Sequence, residues 1–239
     1  MPYYLYGFDW TYLIIVLPCL LLSMWASAQV NSTFKKYATQ ISSRHITGAD
    51  AAKRVLRHHG IYNVRIEHVS GNLTDHFDPK SNVIRLSDNV YGSASTSAIG
   101  VACHEAGHAV QYAQDYFPIK VRAAIIPITN FGSKLAMPLI LLGIVLSALG
   151  SLSYTLVYIG IACFSLSLVF QLITLPVEFN ASRRAVAAIE DAGILNSQEL
   201  TGAKKTLRAA AMTYVAAVAV SLAQLIRLIL LFGGRRRRD

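Results

Sequence analysis

The residues with the clearest chemical potential form one short motif, His104-Glu105-Ala106-Gly107-His108. On a helix, His104 and His108 lie about one turn apart on the same face, so both imidazoles can aim a nitrogen at one metal ion. Glu105 is rotated by about 100° from His104, which places its carboxylate beside a metal-bound water rather than on the metal. Zinc lowers the pKa of such a water to about 7, and a neighbouring carboxylate can accept its proton. The motif therefore predicts a catalytic metal site with Glu105 as the general base.

A simpler interpretation is a helix whose histidines have only local hydrogen-bond partners. Burying two histidines and a glutamate in an apolar helix costs free energy unless each finds a partner, which favours the metal site. Cys103 precedes the motif, but the histidines already supply the metal-facing side, so a packed thiol is the better interpretation. His58 and His59 end a basic segment and are interpreted as partners of a helix dipole rather than as a second metal site.

A catalytic zinc normally has three protein ligands, and no histidine follows His108. The downstream candidates are carboxylates, namely Asp115, Glu178, Glu190, Asp191 and Glu199. Glu178 directly follows an apolar segment and stands between two apolar residues, where a charge is costly unless it binds something. The competing interpretations are an interfacial glutamate paired with a nearby arginine, and Asp115 as the nearest rival ligand. We favour Glu178.

The composition predicts that the elements around these residues are largely embedded in a membrane. Of 239 residues, 54% are hydrophobic and only 15% are charged, with a mean hydropathy of +0.42, whereas soluble domains carry about 25% charged residues. These values also exclude a disordered chain. The net charge of +9 is typical of contact with anionic lipid and of cytoplasmic loops, and we do not expect nucleic acid as a partner. The three cysteines show no metal-type spacing and imply no disulfide framework.

Four apolar segments are long enough to cross about 30 Å of hydrocarbon. They are Trp10–Ala28, 135–152, 154–175 and 212–232. Aromatic residues at positions 3, 4, 6, 8, 10 and 12 are typical of an interfacial belt. Residues 1–9 contain no lysine or arginine, so the first segment is interpreted as a retained anchor rather than a cleaved signal peptide. Arg227 is expected to extend its charge toward the end of the fourth segment.

These segments divide the chain into five parts. Residues 1–28 form the aromatic belt and first transmembrane helix, 29–134 an extramembrane α+β domain with the motif, 135–175 a transmembrane hairpin, 176–211 an extramembrane segment with the third ligand, and 212–239 the fourth transmembrane helix and a basic tail. The fold class is thus a mainly α integral membrane protein with about four transmembrane helices. The Arg235–Arg238 tail is interpreted as solvated or lipid-facing rather than as a docking signal.

The polar region contains its own local signals. Thr47 and Asp50 resemble a capping box that opens a helix ending at Gly60. Residues 62–69 alternate apolar and polar, and with 73–77 and 83–86 they predict a small antiparallel sheet. Residues 95–114 suit a helix, and Gly193 is expected to break the helix that opens the second polar segment.

Both polar segments lie on one side of the membrane, because two spans separate them, and both termini lie on the other. Lysines and arginines follow the first span and populate the second polar segment, whereas the N-terminal flank has none, so the positive-inside rule places the polar segments in the cytoplasm. The C-terminal arginines argue for the opposite orientation.

The motif, together with Glu178 in an E-x-x-x-S-R-R-A context, resembles the YugP-type membrane zinc metallopeptidases and, more distantly, the HtpX and CAAX-prenyl-protease gluzincins. The resemblance spans the chain and implies a zincin-like domain, one Zn²⁺ on His104, His108 and Glu178, and Glu105 as the base. HtpX-like enzymes have an aspartate four residues after the ligand glutamate, where this chain has Ser182. The supporting role of that aspartate is therefore not carried over.

The segment 75–79, with the sequence Asp-His-Phe-Asp-Pro, has two interpretations of equal weight. His76 could stabilise the oxyanion of a tetrahedral intermediate or reach the metal as an alternative ligand. Alternatively, Asp78 and Pro79 open a turn that Asp75 caps. Strands near 73–77 or 83–86 could also present an edge to which a substrate peptide adds.

The sequence as a whole predicts a multi-pass cell-membrane zinc endopeptidase whose catalytic side is cytoplasmic. Its expected partners are a peptide or protein substrate, from a membrane or membrane-proximal protein, and the lipid bilayer. The alternatives are a non-catalytic metal-binding membrane scaffold, against which Glu105 argues, and a transporter, for which the four spans offer little polar lining.

Overall fold

The structure is a computed structural model that describes residues 4–5, 8–147 and 150–233. The described part is mainly helical. Its α-helices are α1 (Leu17–Ala38), α2 (Gly48–His58), α3 (Asp88–Tyr91), α4 (Thr96–Ala113), α5 (Phe117–Val145), α6 (Ser151–Asp191) and α7 (Ser197–Phe232), and a π-helix, Tyr12–Val16, precedes α1. Its strands are β1 (Tyr4–Leu5), β2 (Phe8–Asp9), β3 (Arg65–His68), β4 (His76–Asp78) and β5 (Val83–Leu86).

The chain forms two compact units. We call Met1–Trp25, Val121–Leu175 and Tyr214–Asp239 the apolar unit, and Ala26–Lys120 with Pro176–Thr213 the site unit. Four long helices, α1, α5, α6 and α7, contribute to both units, so the unit boundaries fall within continuous helices.

Among the described residues, four helices are long and apolar enough to cross a membrane. They are Tyr12–Ala38, Phe117–Val145, Ser151–Asp191 and Ser197–Phe232. α5 begins at Phe117, well before the predicted start at residue 135. Lys120, Arg122 and Lys134 interrupt its apolar pattern, so hydropathy marks only the second half of the helix.

Close packing in the apolar unit depends on glycines. A Cβ on Gly143 would lie 2.8 Å from the Ser153 carbonyl oxygen, and one on Gly160 would lie 2.9 Å from the Ala136 carbonyl oxygen. The Ser153 hydroxyl also donates to the Gly143 carbonyl at 2.7 Å. The backbones of α5 and α6 therefore approach as small-residue interfaces allow in membrane helices.

The prediction that Arg227 extends its charge toward the end of its helix is wrong. The guanidinium instead pairs with a carboxylate of the same unit. Its Nε donates to Asp9 Oδ2 at 3.0 Å, and the guanidinium lies 5.4 Å from the centre of the Tyr12 ring. Asp9 also accepts from the Thr11 hydroxyl at 2.6 Å. A carboxylate outside the helix satisfies the arginine, so the side chain has no need to extend toward water. Of the predicted aromatic belt, positions 3 and 6 lie outside the described residues, and Trp10 and Tyr12 are exposed.

In the site unit, α2 begins and ends as its sequence predicts. The Thr47 hydroxyl accepts from the backbone N–H of Asp50, as an N-cap should. Gly60 has a φ of +71°, the left-handed conformation that follows many helices.

The three-stranded sheet of the site unit has the order β3-β5-β4. β4 and β5 are antiparallel as predicted, whereas β3 and β5 are parallel. The expectation of a wholly antiparallel sheet is therefore wrong. The hairpin from β4 returns β5 between the two earlier strands, so β5 runs in the direction of β3 and has no free edge.

The core of the site unit lies among the helices and this sheet. Ile84 and Leu86 on β5, Ile99 and Val110 on α4, and Ile189 on α6 are fully buried. Apolar residues of β5 and α6, which are distant in the sequence, thus pack with those of α4 in one core. The Gly193 break is also present, with a φ of +55° between α6 and α7.

Candidate metal centre

Helix α4 carries the motif, and its start is fixed by a cap. The Ser95 hydroxyl accepts from the backbone N–H of Ala98, and the helix continues to Ala113. His104 and His108 lie one turn apart, with their ring centres 4.7 Å apart and their planes at 83°. The two imidazoles therefore face a common space from one helix, as the spacing predicts.

Glu178 reaches that space from α6, 74 residues later in the chain than His104. Its Oε2 lies 3.2 Å from His104 Nε2 and 3.4 Å from His108 Nε2. The carboxylate is almost completely buried, with 2% of the residue exposed. Burying a carboxylate costs free energy. Its position between two imidazole nitrogens is therefore favourable only if the three groups bind a common cation or share a proton.

The donor set fits a zinc ion in both chemistry and spacing. One ligand atom from each of His104, His108 and Glu178 lies within 4.8 Å of the other two. Two ligands at about 2.0–2.1 Å from a tetrahedral zinc are themselves about 3.3 Å apart, which is close to the two nitrogen–oxygen separations here. Two imidazoles and one carboxylate are also a common protein donor set for catalytic zinc.

Gly107 allows the two helices to approach closely at this point. A Cβ at Gly107 would lie 2.6 Å from the carbonyl oxygen of Ala181, a separation that real Cβ atoms do not show. Any side chain at position 107 would push α4 away from α6 and separate the imidazoles from Glu178. The small residue in the middle of the motif is thus explained by the backbone of the facing helix.

Gln111 determines which ring nitrogen of His108 carries the proton. The Gln111 amide nitrogen donates to the Val177 carbonyl at 2.8 Å and to Asn180 Oδ1 at 2.9 Å, so its oxygen faces His108 Nδ1 at 3.0 Å. His108 Nδ1 must therefore be the donor, which leaves the lone pair of Nε2 facing Glu178. Gln111 is fully buried.

Ser182 fixes the position of the proton on His104 in the same way. Its Oγ lies 3.0 Å from His104 Nδ1, on the opposite edge of the ring from Glu178. When Nε2 keeps its lone pair for a metal, Nδ1 carries the proton and Ser182 accepts it. The serine that departs from the HtpX-like pattern thus occupies a supporting position in this chain.

The sequence analysis missed Gln111 and Asn180. A signal for Gln111 was present, because it follows His104 by seven residues and His108 by three and so shares their helix face. No comparable signal exists for Asn180, whose part depends on where α6 packs.

Glu105 is buried on α4, and its carboxylate accepts a hydrogen bond from the backbone N–H of Phe77 on β4. Burial raises its pKa to about 7, with His104 opposing that shift and the charges of Glu178 and Asp75 adding to it. The carboxyl group thus lies beside the neighbouring strand β4.

His76 does not belong to the cluster formed by the three predicted ligands. Its Nδ1 lies 2.8 Å from the Thr74 carbonyl, to which it donates, and its Nε2 lies 3.5 Å from Arg85. Asp75 accepts from the backbone N–H and hydroxyl of Ser87, and Asp78 accepts from the backbone N–H of Lys80. Asp78 therefore has the predicted turn role, whereas Asp75 binds Ser87 before α3 instead of capping that turn.

The remaining candidates have ordinary partners. Asp115 is exposed and pairs with Lys120 at 2.5 Å, so it does not join the cluster. His59 Nδ1 lies 3.0 Å from the Val55 carbonyl at the end of α2. Cys103 is fully buried in the core, and burial raises the pKa of its thiol.

The chain is similar to known proteins over nearly its whole length. The family described as "Putative neutral zinc metallopeptidase" matches residues 12–233. A protein from Bacillus subtilis (strain 168) named "Putative membrane protease YugP" is 47% identical over 221 residues, which are 92% of this chain and 96% of the relative. No solved structure matches the chain. The match extends over nearly the whole sequence, and the chain therefore belongs to this family of membrane zinc metallopeptidases.

Proposed function

We propose that the protein is a zinc-dependent endopeptidase of the gluzincin type, in which His104, His108 and Glu178 hold one zinc ion in a zincin-like domain. The observation that carries the proposal is the convergence of these three side chains within 4.8 Å. Two come from one face of α4, and the third comes from a helix that the sequence places far away. Such a cluster of two imidazoles and a buried carboxylate is expected at a catalytic zinc site.

The zinc ion, when bound, would polarise the substrate carbonyl and lower the pKa of the attacking water to about 7. Glu105 would accept the proton of that water at its free carboxylate oxygen and then pass it to the departing amine nitrogen. The backbone N–H of Phe77 on β4 faces this carboxylate.

Gln111 and Ser182 would keep both imidazoles in the ligating tautomer. Each residue engages the Nδ1 atom of one histidine, so the proton stays on the side away from Glu178. Partners of this type orient metal ligands and raise their basicity.

His76 is proposed as a stabiliser of the transition state. It lies on β4, the strand that also contacts Glu105 through Phe77. Because Thr74 and Arg85 engage its two ring nitrogens, the imidazole would have to turn before it could donate to a substrate oxyanion.

An extended substrate peptide would add to the outer edge of β4, since β5 is central in the sheet.

Glu178 follows the apolar segment of α6 by a few residues, so we expect the site to be near the membrane boundary. This placement supports membrane or membrane-proximal proteins as substrates. We further propose that the four apolar helices make a multi-pass protein with its catalytic side in the cytoplasm, following the distribution of lysine and arginine.

The substrate proposal is tested with one unfolded cleavage sequence presented in two ways to the full-length protein in proteoliposomes. In one substrate the sequence follows a transmembrane helix, and in the other it is soluble. We expect faster cleavage of the anchored substrate, and none by either route after zinc removal by a chelator. Equal rates for the two substrates would refute the membrane preference, and cleavage that persists without zinc would refute the mechanism.

A further inference from the structure

One concave surface of the site unit is lined by basic and apolar side chains. We call it the basic groove, and it is lined by Phe179, Arg183, Lys204, Leu207, Arg208 and Ala211. The groove has a volume of about 360 Å³ and runs between the parts of α6 and α7 that belong to the site unit. We propose that the basic groove binds the head group and upper acyl chain of an anionic phospholipid.

The charges of the groove favour an anion. Three basic side chains line it, and no carboxylate does. Lys204 lies 3.9 Å from Glu190, a pair in which both side chains are at least half exposed and which therefore neutralises little. Neither Arg183 nor Arg208 forms an ion pair with any residue in the part of the chain that the structure describes. Two exposed guanidinium groups are thus available for a phosphate, which they recognise well.

The order of apolar and basic residues along the two helices matches an amphiphile. On α6, Phe179 is half exposed and stands only four residues beyond Leu175, and Arg183 follows one helical turn later in the sequence. On α7, Ala211 is three residues from Tyr214, and Arg208 is again about one turn farther away. Phe179 and Ala211 are therefore the lining residues nearest in sequence to the apolar spans, and Arg183 and Arg208 lie about one helical turn beyond them, as acyl chain and head group would require.

The groove is separate from the place where a substrate peptide would contact the metal centre. Ser182 also lines the groove, and its hydroxyl engages Nδ1 of His104. Nε2 of the same ring faces Glu178 on the opposite edge. A ligand in the basic groove would consequently lie behind His104, so we do not assign the groove to the peptide.

The test is direct binding of lipid to the full-length protein in a neutral detergent. Dioleoyl-phosphatidylglycerol and dioleoyl-phosphatidylcholine are titrated separately, and bound lipid is counted by native mass spectrometry. The groove variant is Arg183→Gln with Arg208→Gln. Its matched control is Arg54→Gln with Arg57→Gln, which removes the same charge from exposed positions on α2.

We expect the wild type to prefer phosphatidylglycerol, and we expect the groove variant to bind it at least about tenfold more weakly, because each basic residue contributes to anionic lipid binding. The control variant should bind like the wild type. Thermal unfolding and zinc content, measured on each variant, should be unchanged, since all four arginines lie at the surface. Equal phosphatidylglycerol affinity of groove variant and wild type would overturn the proposal.

Two competitors distinguish the lipid from other anions. Inorganic phosphate and a decaglutamate peptide are each added to the wild type with bound phosphatidylglycerol. We expect neither to displace the lipid, because neither supplies an acyl chain for Phe179 and Leu207. Displacement by phosphate or by the peptide would assign the groove to that anion and overturn the lipid proposal.

Discussion

The buried polar side chains of the two units differ in how completely they are hydrogen-bonded. In the site unit, the buried side chains of Gln111 and Glu199 each have two or more hydrogen-bond partners. In the described part of the apolar unit, the buried Oε1 of Gln171 and Oγ1 of Thr174 have no protein partner. Helices also pack closely there through Gly143 and Gly160, as α4 and α6 do through Gly107 in the site unit.

The difference separates two requirements of a membrane enzyme. The site unit must fix the direction of individual lone pairs, which only a fully hydrogen-bonded network can do. The apolar unit must hold helices together where no hydrophobic effect drives their association, and close backbone approach achieves that. Changes in the site unit should therefore alter chemistry and metal binding, whereas changes in the apolar unit should alter stability alone.

The largest expected effect belongs to Glu105→Gln. Removing a positioned general base should lower peptide hydrolysis by about 10²–10⁴-fold, because no other group takes the proton. Zinc content should stay at the wild-type level, since Glu105 is not among the three converging side chains. Activity is measured on an unfolded peptide, and metal by elemental analysis. Loss of zinc in this variant would instead favour the non-catalytic scaffold.

Glu178→Ala should weaken zinc binding by more than about a hundredfold, the upper range for loss of an outer partner, because it removes a ligand itself. Competition with a chelator of known affinity measures the change. Glu190→Ala is the control, since Glu190 is an exposed carboxylate on the same helix. If both variants retain wild-type affinity, Glu178 is not a ligand.

Gln111→Leu should weaken zinc binding by about 10–100-fold. The leucine keeps approximately the same volume but cannot accept from His108 Nδ1, so the imidazole loses its fixed orientation. Gln198→Leu, at an exposed position on α7, provides the control for the substitution itself. An equal effect of the two substitutions would contradict the role assigned to Gln111.

Three glycine-to-alanine variants sharpen the comparison between the units. Gly107→Ala and Gly143→Ala each force a methyl group against backbone, and each should cost about 1–3 kcal/mol of unfolding free energy. Only Gly107→Ala should also weaken zinc binding, because it separates α4 from α6. Gly92→Ala is the control, since its added methyl meets nothing within 4 Å. A zinc defect in Gly143→Ala comparable to that in Gly107→Ala would contradict the division of roles.

The sequence predicted the features that depend on local chemistry. The cap at Thr47, the break at Gly193 and the shared face of His104 and His108 follow from residues within one or two turns. Glu178 was identifiable because an isolated charge after an apolar segment demands a partner. The five-part domain division remains a prediction.

Features that depend on distant packing were not predictable. The parallel pairing of β3 with β5 results from the order in which strands join the sheet, which alternation cannot encode. The early start of α5 is hidden by three basic residues. The need for glycine at position 107 appears only when the carbonyl of Ala181 is in place.

Zinc K-edge X-ray absorption on the full-length protein tests the central claim most directly. We expect one zinc per chain with two imidazole nitrogens and one carboxylate oxygen among its nearest neighbours, at about 2.0–2.2 Å. The imidazole signal should persist in Glu105→Gln, and the set of atoms bound to zinc should change in Glu178→Ala. A spectrum with sulfur ligands, or one identical in the wild type and Glu178→Ala, would contradict the account.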